Sequence, residues 1–93
     1  MKSPALAAAT PVLVSAAGNR DFINIQNNDG GDIYAKYDGS AVTLDNTTGW
    51  VIPANGGTLF ISNDGNRNVY NKAVYLYSVG GVAAGVVKIQ GED

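Results

Sequence analysis

The chain has no cysteine and no histidine among its 93 residues. Without cysteine no disulfide can staple the fold, and without either residue a structural zinc site loses its preferred ligands. The same two absences remove the commonest general base and the best nucleophile, so a Ser or Cys hydrolase triad has no proton carrier. Charge is also scarce, at 15% of residues with a net of −2. Lys2, Arg20, Lys36, Arg67, Lys72 and Lys88 are scattered, and no basic stripe exists to neutralise phosphates, so nucleic acid is not expected as a partner. No apolar run approaches the ~20 residues of a membrane span, so no membrane association is expected. Helical periodicity is missing throughout, and with it any Gly-rich phosphate loop leading from a strand into a helix.

What is present is a globular composition, 45% hydrophobic, with room for one domain. In so short a chain, burial narrowly offsets the roughly 1.5 kcal/mol per residue lost on ordering. Small domains therefore add a staple, and with disulfides and zinc removed, oligomerisation is the candidate left.

Short alternating runs rich in Val, Ile, Tyr and Phe, separated by Asn, Asp and Gly clusters, spell antiparallel sheet. Met1 to Ala17 has a faint signal-peptide outline, but Pro11 interrupts its apolar run, and Val12-Leu13-Val14-Ser15 reads as a first strand. Residues 1–10 are expected to be a flexible, Ala-rich arm and residues 11–93 a single β-sandwich domain, and deleting Lys2 to Ala9 is expected to leave the fold intact but weaken attachment to a neighbour. In Asp21 to Asn27, Ile23 and Ile25 share one face and Phe22, Asn24 and Gln26 the other. Asn28-Asp29-Gly30-Gly31 reads as a tight hairpin turn, and Asp32 to Tyr37 returns with Ile33, Ala35 and Tyr37 on one face. Further strands are expected at Ala41–Leu44, Trp50–Ile52, Thr58–Ser62, within Val69–Val79 and at Gly85–Gln90, with turns at Pro53–Gly57, Asn63–Asn68 and Gly80-Gly81. The fold class is thus all-β, an antiparallel sandwich or small jelly roll of seven to eight short strands. A weak internal echo, strand then Asn-Asp-Gly then a Tyr-bearing strand, links Phe22–Gly39 with Phe60–Gly81 and predicts two hairpins of one kind.

The search for chemistry finds none, and no enzyme is expected. One Glu and seven Asp are present, and Asp29, Asp32, Asp38, Asp45 and Asp64 fall in or beside turns, where Asp normally caps backbone amides. The loops Asn27–Asp32 and Asn63–Asn66 offer oxygen ligands for calcium, but neither has the spacing of a known calcium loop. No cofactor or metal is expected. The aromatic set is more informative. With Ile23, Ile25, Ile33, Leu59, Ile61, Val74, Leu76, Val87 and Ile89 inward, Phe22, Tyr34, Phe60, Tyr75 and Tyr77 are left partly outward, where they and Trp50 form a candidate interface. Trp50, beside Gly49, could instead stack on a sugar ring.

Five stretches also carry a resemblance: Ala9 to Arg20 followed by Phe22-Ile23-Asn24-Ile25-Gln26-Asn27, then Ile33-Tyr34-Ala35-Lys36-Tyr37, then Ile52-Pro53-Ala54-Asn55-Gly56-Gly57 leading into Ala73-Val74-Tyr75-Leu76-Tyr77. Taken in order, the chain resembles the small bacteriophage virion proteins that decorate or cement capsids. The resemblance spans nearly the whole sequence and departs from the usual pattern at Asn63–Asn68. It implies a sandwich or jelly-roll subunit on the capsid surface, often a homotrimer, whose partners are itself and the major capsid protein or another virion protein. The alternative class is a receptor- or carbohydrate-binding module of a phage tail or fibre.

Overall fold

The computed structural model describes residues 2–16, 22–36, 47–62 and 72–91. Seven strands occur among them, β1 (Val12–Ser15), β2 (Phe22–Asn27), β3 (Ile33–Lys36), β4 (Trp50–Ile52), β5 (Gly57–Ser62), β6 (Val74–Tyr77) and β7 (Val87–Gln90), and no helix. The expected strand at Ala41–Leu44, the start of the Val69–Val79 run, and Tyr37 and Tyr70 lie outside the described residues.

Two antiparallel sheets form, one in the order β1-β6-β3-β4 and the other β5-β2-β7. The thinnest dimension is 17 Å, as two sheets stacked about 10 Å apart with outer side chains require. The pairing is nested, β1 with β6, β2 with β5 and β3 with β4, as when one long hairpin is folded over itself into a jelly roll. Two further pairings, β3 with β6 and β2 with β7, widen the sheets.

The alternation read from the sequence sets the faces. Ile23 and Ile25 of β2, Ile33 and Ala35 of β3, Val74 and Leu76 of β6, and Val87 and Ile89 of β7 are wholly buried between the sheets. Ile52 and Ile61 join them, and Leu59 packs against the cluster from a partly buried position. In β1 the pairing with β6 slips between Leu13 and Ser15, so Val14 and the following Ser15 are both buried. An extra residue in one strand breaks the two-residue period, which strict alternation does not anticipate.

The hairpin expectation needs correction. Asn28–Gly31 does not close a hairpin, because β3 pairs with β4 and β6, whereas β2 pairs with β5 and β7. The turn instead carries the chain across the core from one sheet to the other. Turn composition specifies a reversal of direction, and it does not specify whether the next strand lies beside or opposite the last. The path from β5 to β6 crosses between the same two sheets, so the internal echo corresponds to a pair of crossings and not to a pair of hairpins.

Asn27 organises this corner. It is wholly buried at the end of β2. Its Nδ2 lies 3.0 Å from the Gly31 carbonyl, 3.0 Å from that of Ile52 and 3.2 Å from that of Pro53, while its Oδ1 accepts from the Asp29 amide at 2.9 Å. The backbone adds Gly56 N–H to Asn27 O at 2.6 Å and Asn55 N–H to Asp29 O at 2.9 Å. One carboxamide therefore ties the β2–β3 crossing to the β4–β5 turn. The neighbouring acids are engaged with backbone, Asp29 Oδ2 accepting from Gly31 N–H at 3.1 Å and Asp32 Oδ1 from Ala54 N–H at 3.0 Å.

The N-terminal stretch, expected to be a loose arm, has partners throughout its length. Lys2 and Ile89 exchange both backbone hydrogen bonds at 2.8 Å, so Lys2 lies along the outer edge of β7. Leu6 and Val82 likewise exchange bonds at 2.8 and 2.9 Å, and Ala9 N–H reaches Ser78 O at 2.8 Å. Lys2 Nζ donates to Val14 O of β1 at 2.6 Å, and Ser3 Oγ to Val87 O at 2.6 Å. Leu6 is 3% exposed and belongs to the core. The stretch runs against residues 78–86 and bridges β7 of one sheet to β1 of the other, closing that side of the sandwich.

Candidate interaction surfaces

Inward packing of the branched residues leaves two sheet faces to solvent, and their chemistry differs. On the four-stranded sheet, Leu13 of β1 stands opposite Tyr75 of β6, which stands opposite Lys36 of β3. The next row places Tyr77 of β6, Tyr34 of β3 and Val51 of β4 side by side. Directly opposed side chains on one face have Cβ atoms about 5 Å apart, so these two rows form one continuous surface. Leu13 and Val51 are 51% and 53% exposed, and the three tyrosines are half-buried.

The outer face of the three-stranded sheet is mostly polar. Its rows are Phe60, Asn24 and Gln90, then Thr58, Gln26 and Lys88, read from β5 across β2 to β7. Asn24, Gln26, Thr58, Lys88 and Gln90 line a concavity of about 330 Å³. At one end Phe22 and Phe60 stack, ring centroids 5.7 Å apart and planes inclined by 27°. Phe22 lies over Gly91, where a Cβ would collide with the ring. Phe60 remains 59% exposed.

Trp50 belongs to neither face. By register it lies on the inward side with Ala35, yet it is 64% exposed, because β4 is the sheet edge and Trp50 its first residue.

The six aromatics singled out from sequence are therefore distributed over three places. Tyr34, Tyr75 and Tyr77 come together on one sheet, Phe22 and Phe60 on the other, and Trp50 stands at an edge. Sequence reasoning passed over Leu13 and Val51, whose neighbours are fixed by register between strands far apart in the chain. It also passed over the convergence of Asn24, Gln26, Thr58, Lys88 and Gln90. Alternation places each of these outward, but only pairing of β2 with both β5 and β7 brings them together.

No group of three or more acidic residues among the described residues is placed to hold a metal ion. The fold defines the class: a small all-β sandwich of two antiparallel sheets. Comparison with protein-family models, with curated proteins and with solved structures finds no match.

Proposed function

We propose that the chain is a structural, non-enzymatic virion subunit of the capsid decoration or cement type, which binds and stabilises an assembled phage head. The observation that carries this reading is the surface of Leu13, Tyr34, Tyr75, Tyr77 and Val51 on the four-stranded sheet. An amphipathic aromatic surface of this kind suits a protein interface and is a liability on a lone soluble domain. The motif order from Ala9 to Tyr77 supports the same class. In this reading the tyrosine face mediates association of copies of the chain, a trimer being favoured, and seats them on the major capsid protein. The mechanism is mass action: a subunit that binds assembled shell better than free capsid protein shifts the equilibrium toward the shell.

Cosedimentation with assembled empty heads, and separately with unassembled capsid protein, tests the proposal. Binding to the assembled form is expected, weakened at least roughly tenfold by Tyr34→Ser with Tyr77→Ser. Equal affinity for free capsid protein, or indifference to the double substitution, would sink it. The exposure of Trp50 favours a second reading, a glycan-binding module of a tail or fibre. Glycan-array binding abolished by Trp50→Ala would select that reading.

A further inference from the structure

We infer that the outer face of the three-stranded sheet is a binding site for a short saccharide, distinct from both the tyrosine face and Trp50. The inference is independent of the decoration reading, since it rests on the opposite side of the sandwich.

The concavity there, about 330 Å³, falls at the lower end of the roughly 300–1,000 Å³ typical of small-ligand sites. Its lining is built from three carboxamides, one hydroxyl and one ammonium, with no carboxylate. A carboxamide offers both donors and an acceptor, which matches sugar hydroxyls, themselves donors and acceptors at once. Asn24 and Gln26 project from β2, with Gln90 opposite Asn24 on β7 and Thr58 and Lys88 opposite Gln26. The pleat fixes the backbone positions of these groups in two rows, so their spacing is set before a ligand arrives.

Their hydrogen-bonding capacity is also largely unused. Among the described residues, the side chains of Asn24, Thr58, Lys88 and Gln90 make no hydrogen bond, and Gln26 Oε1 accepts one long bond from Asn28 Nδ2 at 3.3 Å. Beside them, directly opposite Asn24, is the exposed ring of Phe60, stacked on Phe22. Phe22 is itself seated over Gly91, the one residue type that leaves room for its ring. An aromatic plate next to a ladder of amides is what the apolar C–H face and polar rim of a pyranose require together. Lys88 is the sole charged group in the lining, so a saccharide bearing a carboxylate or sulfate is favoured over a neutral one of the same size.

The test is an NMR titration of the uniformly 15N-labelled full chain with chitotriose, maltotriose, sialyllactose and a heparin tetrasaccharide as probes. Saturable shifts of the Asn24, Gln26 and Gln90 side-chain amide resonances are expected with at least one acidic probe below roughly 10 mM. Gln26→Ala and Lys88→Ala should each weaken that binding by about tenfold, because both side chains are solvent-accessible and their loss leaves the backbone spectrum otherwise unchanged. Tyr34→Ser with Tyr77→Ser, on the far sheet, should leave it unaltered while weakening attachment to heads, which separates this site from the decoration surface. The inference is overturned if none of the four probes moves those amides, or if binding persists undiminished in both concavity variants.

Discussion

At the residue scale, the most consequential side chain is one whose type gives little warning. Asn27 closes a strand in which Phe22, Ile23 and Ile25 alternate with Asn24 and Gln26, and it is followed by a turn cluster in which another Asn is unremarkable. Buried, however, it satisfies carbonyls of Gly31, Ile52 and Pro53 and the amide of Asp29. Leucine at this position would fill the volume and leave those groups without a partner inside the fold. Asn27→Leu should destabilise the domain by on the order of 3 kcal/mol. For a domain of this size that lowers the melting midpoint by more than about 10 °C, measurable by calorimetry. A variant melting within a few degrees of the parent would show that water reaches the corner and replaces the carboxamide. Gly57, paired with Asn27, is a second position closed to substitution: a Cβ there would stand on the Pro53 carbonyl oxygen and 2.8 Å from the Pro53 nitrogen. Both obstacles are backbone, so Gly57→Ala should cost roughly 1–3 kcal/mol in urea unfolding, despite the better strand propensity of alanine. Gly56→Ala is no neutral control for it, since Gly56 has a φ of 102°.

At the scale of elements, residues 2–9 decide how the sandwich ends. A three-stranded sheet with β7 at its margin would expose a row of unpaired amides and carbonyls, a template for aggregation. Lys2 and its neighbours cover part of that edge and bridge to β1 through Lys2 Nζ. Leu6 meanwhile fills the space between the sheets beside Val82. Deleting Lys2 to Ala9 should therefore lower the stability of the domain, where a purely loose arm would leave it untouched. Leu6→Ala isolates the packing part, with an expected loss of about 3 kcal/mol in chemical denaturation. If the truncated chain unfolds at the same urea midpoint as the full one, the segment contributes nothing to the fold. The alanines around Leu6 carry no period that identifies the segment as part of a sheet. Its backbone bridges reach residues roughly 70 to 90 positions away, which no local pattern can announce.

At the scale of the whole molecule, two sheet faces of unlike character point away from each other. One is aromatic and aliphatic with Lys36 in its row, the other amide-rich with Lys88, and under the two proposals above they would serve two different partners. Self-association through the tyrosine face should appear in sedimentation equilibrium as an oligomer at micromolar concentration. Tyr34→Ser with Tyr77→Ser should shift that distribution to monomer and lower the melting midpoint at the same concentration, because association stabilises the folded chain. A parent chain that is monomeric at those concentrations would remove this role for the face.

The order of residues along the chain determined the all-β class, the positions of most strands and which side chains face the core. Ile23, Ile25, Ile33, Val74, Leu76, Val87 and Ile89 follow from a two-residue period that needs no knowledge of partners. It also determined the absence of histidine and cysteine chemistry, which composition alone establishes. Tertiary structure decided the rest. It crossed β2 to β3 between sheets, recruited Leu6 and Val82 to the core, and gathered Asn24, Gln26, Thr58, Lys88 and Gln90 into one concavity. The physical reason is that alternation is a property of a single strand, whereas neighbourhood depends on pairing between strands distant in sequence. That pairing is settled by the joint burial of all the apolar faces at once.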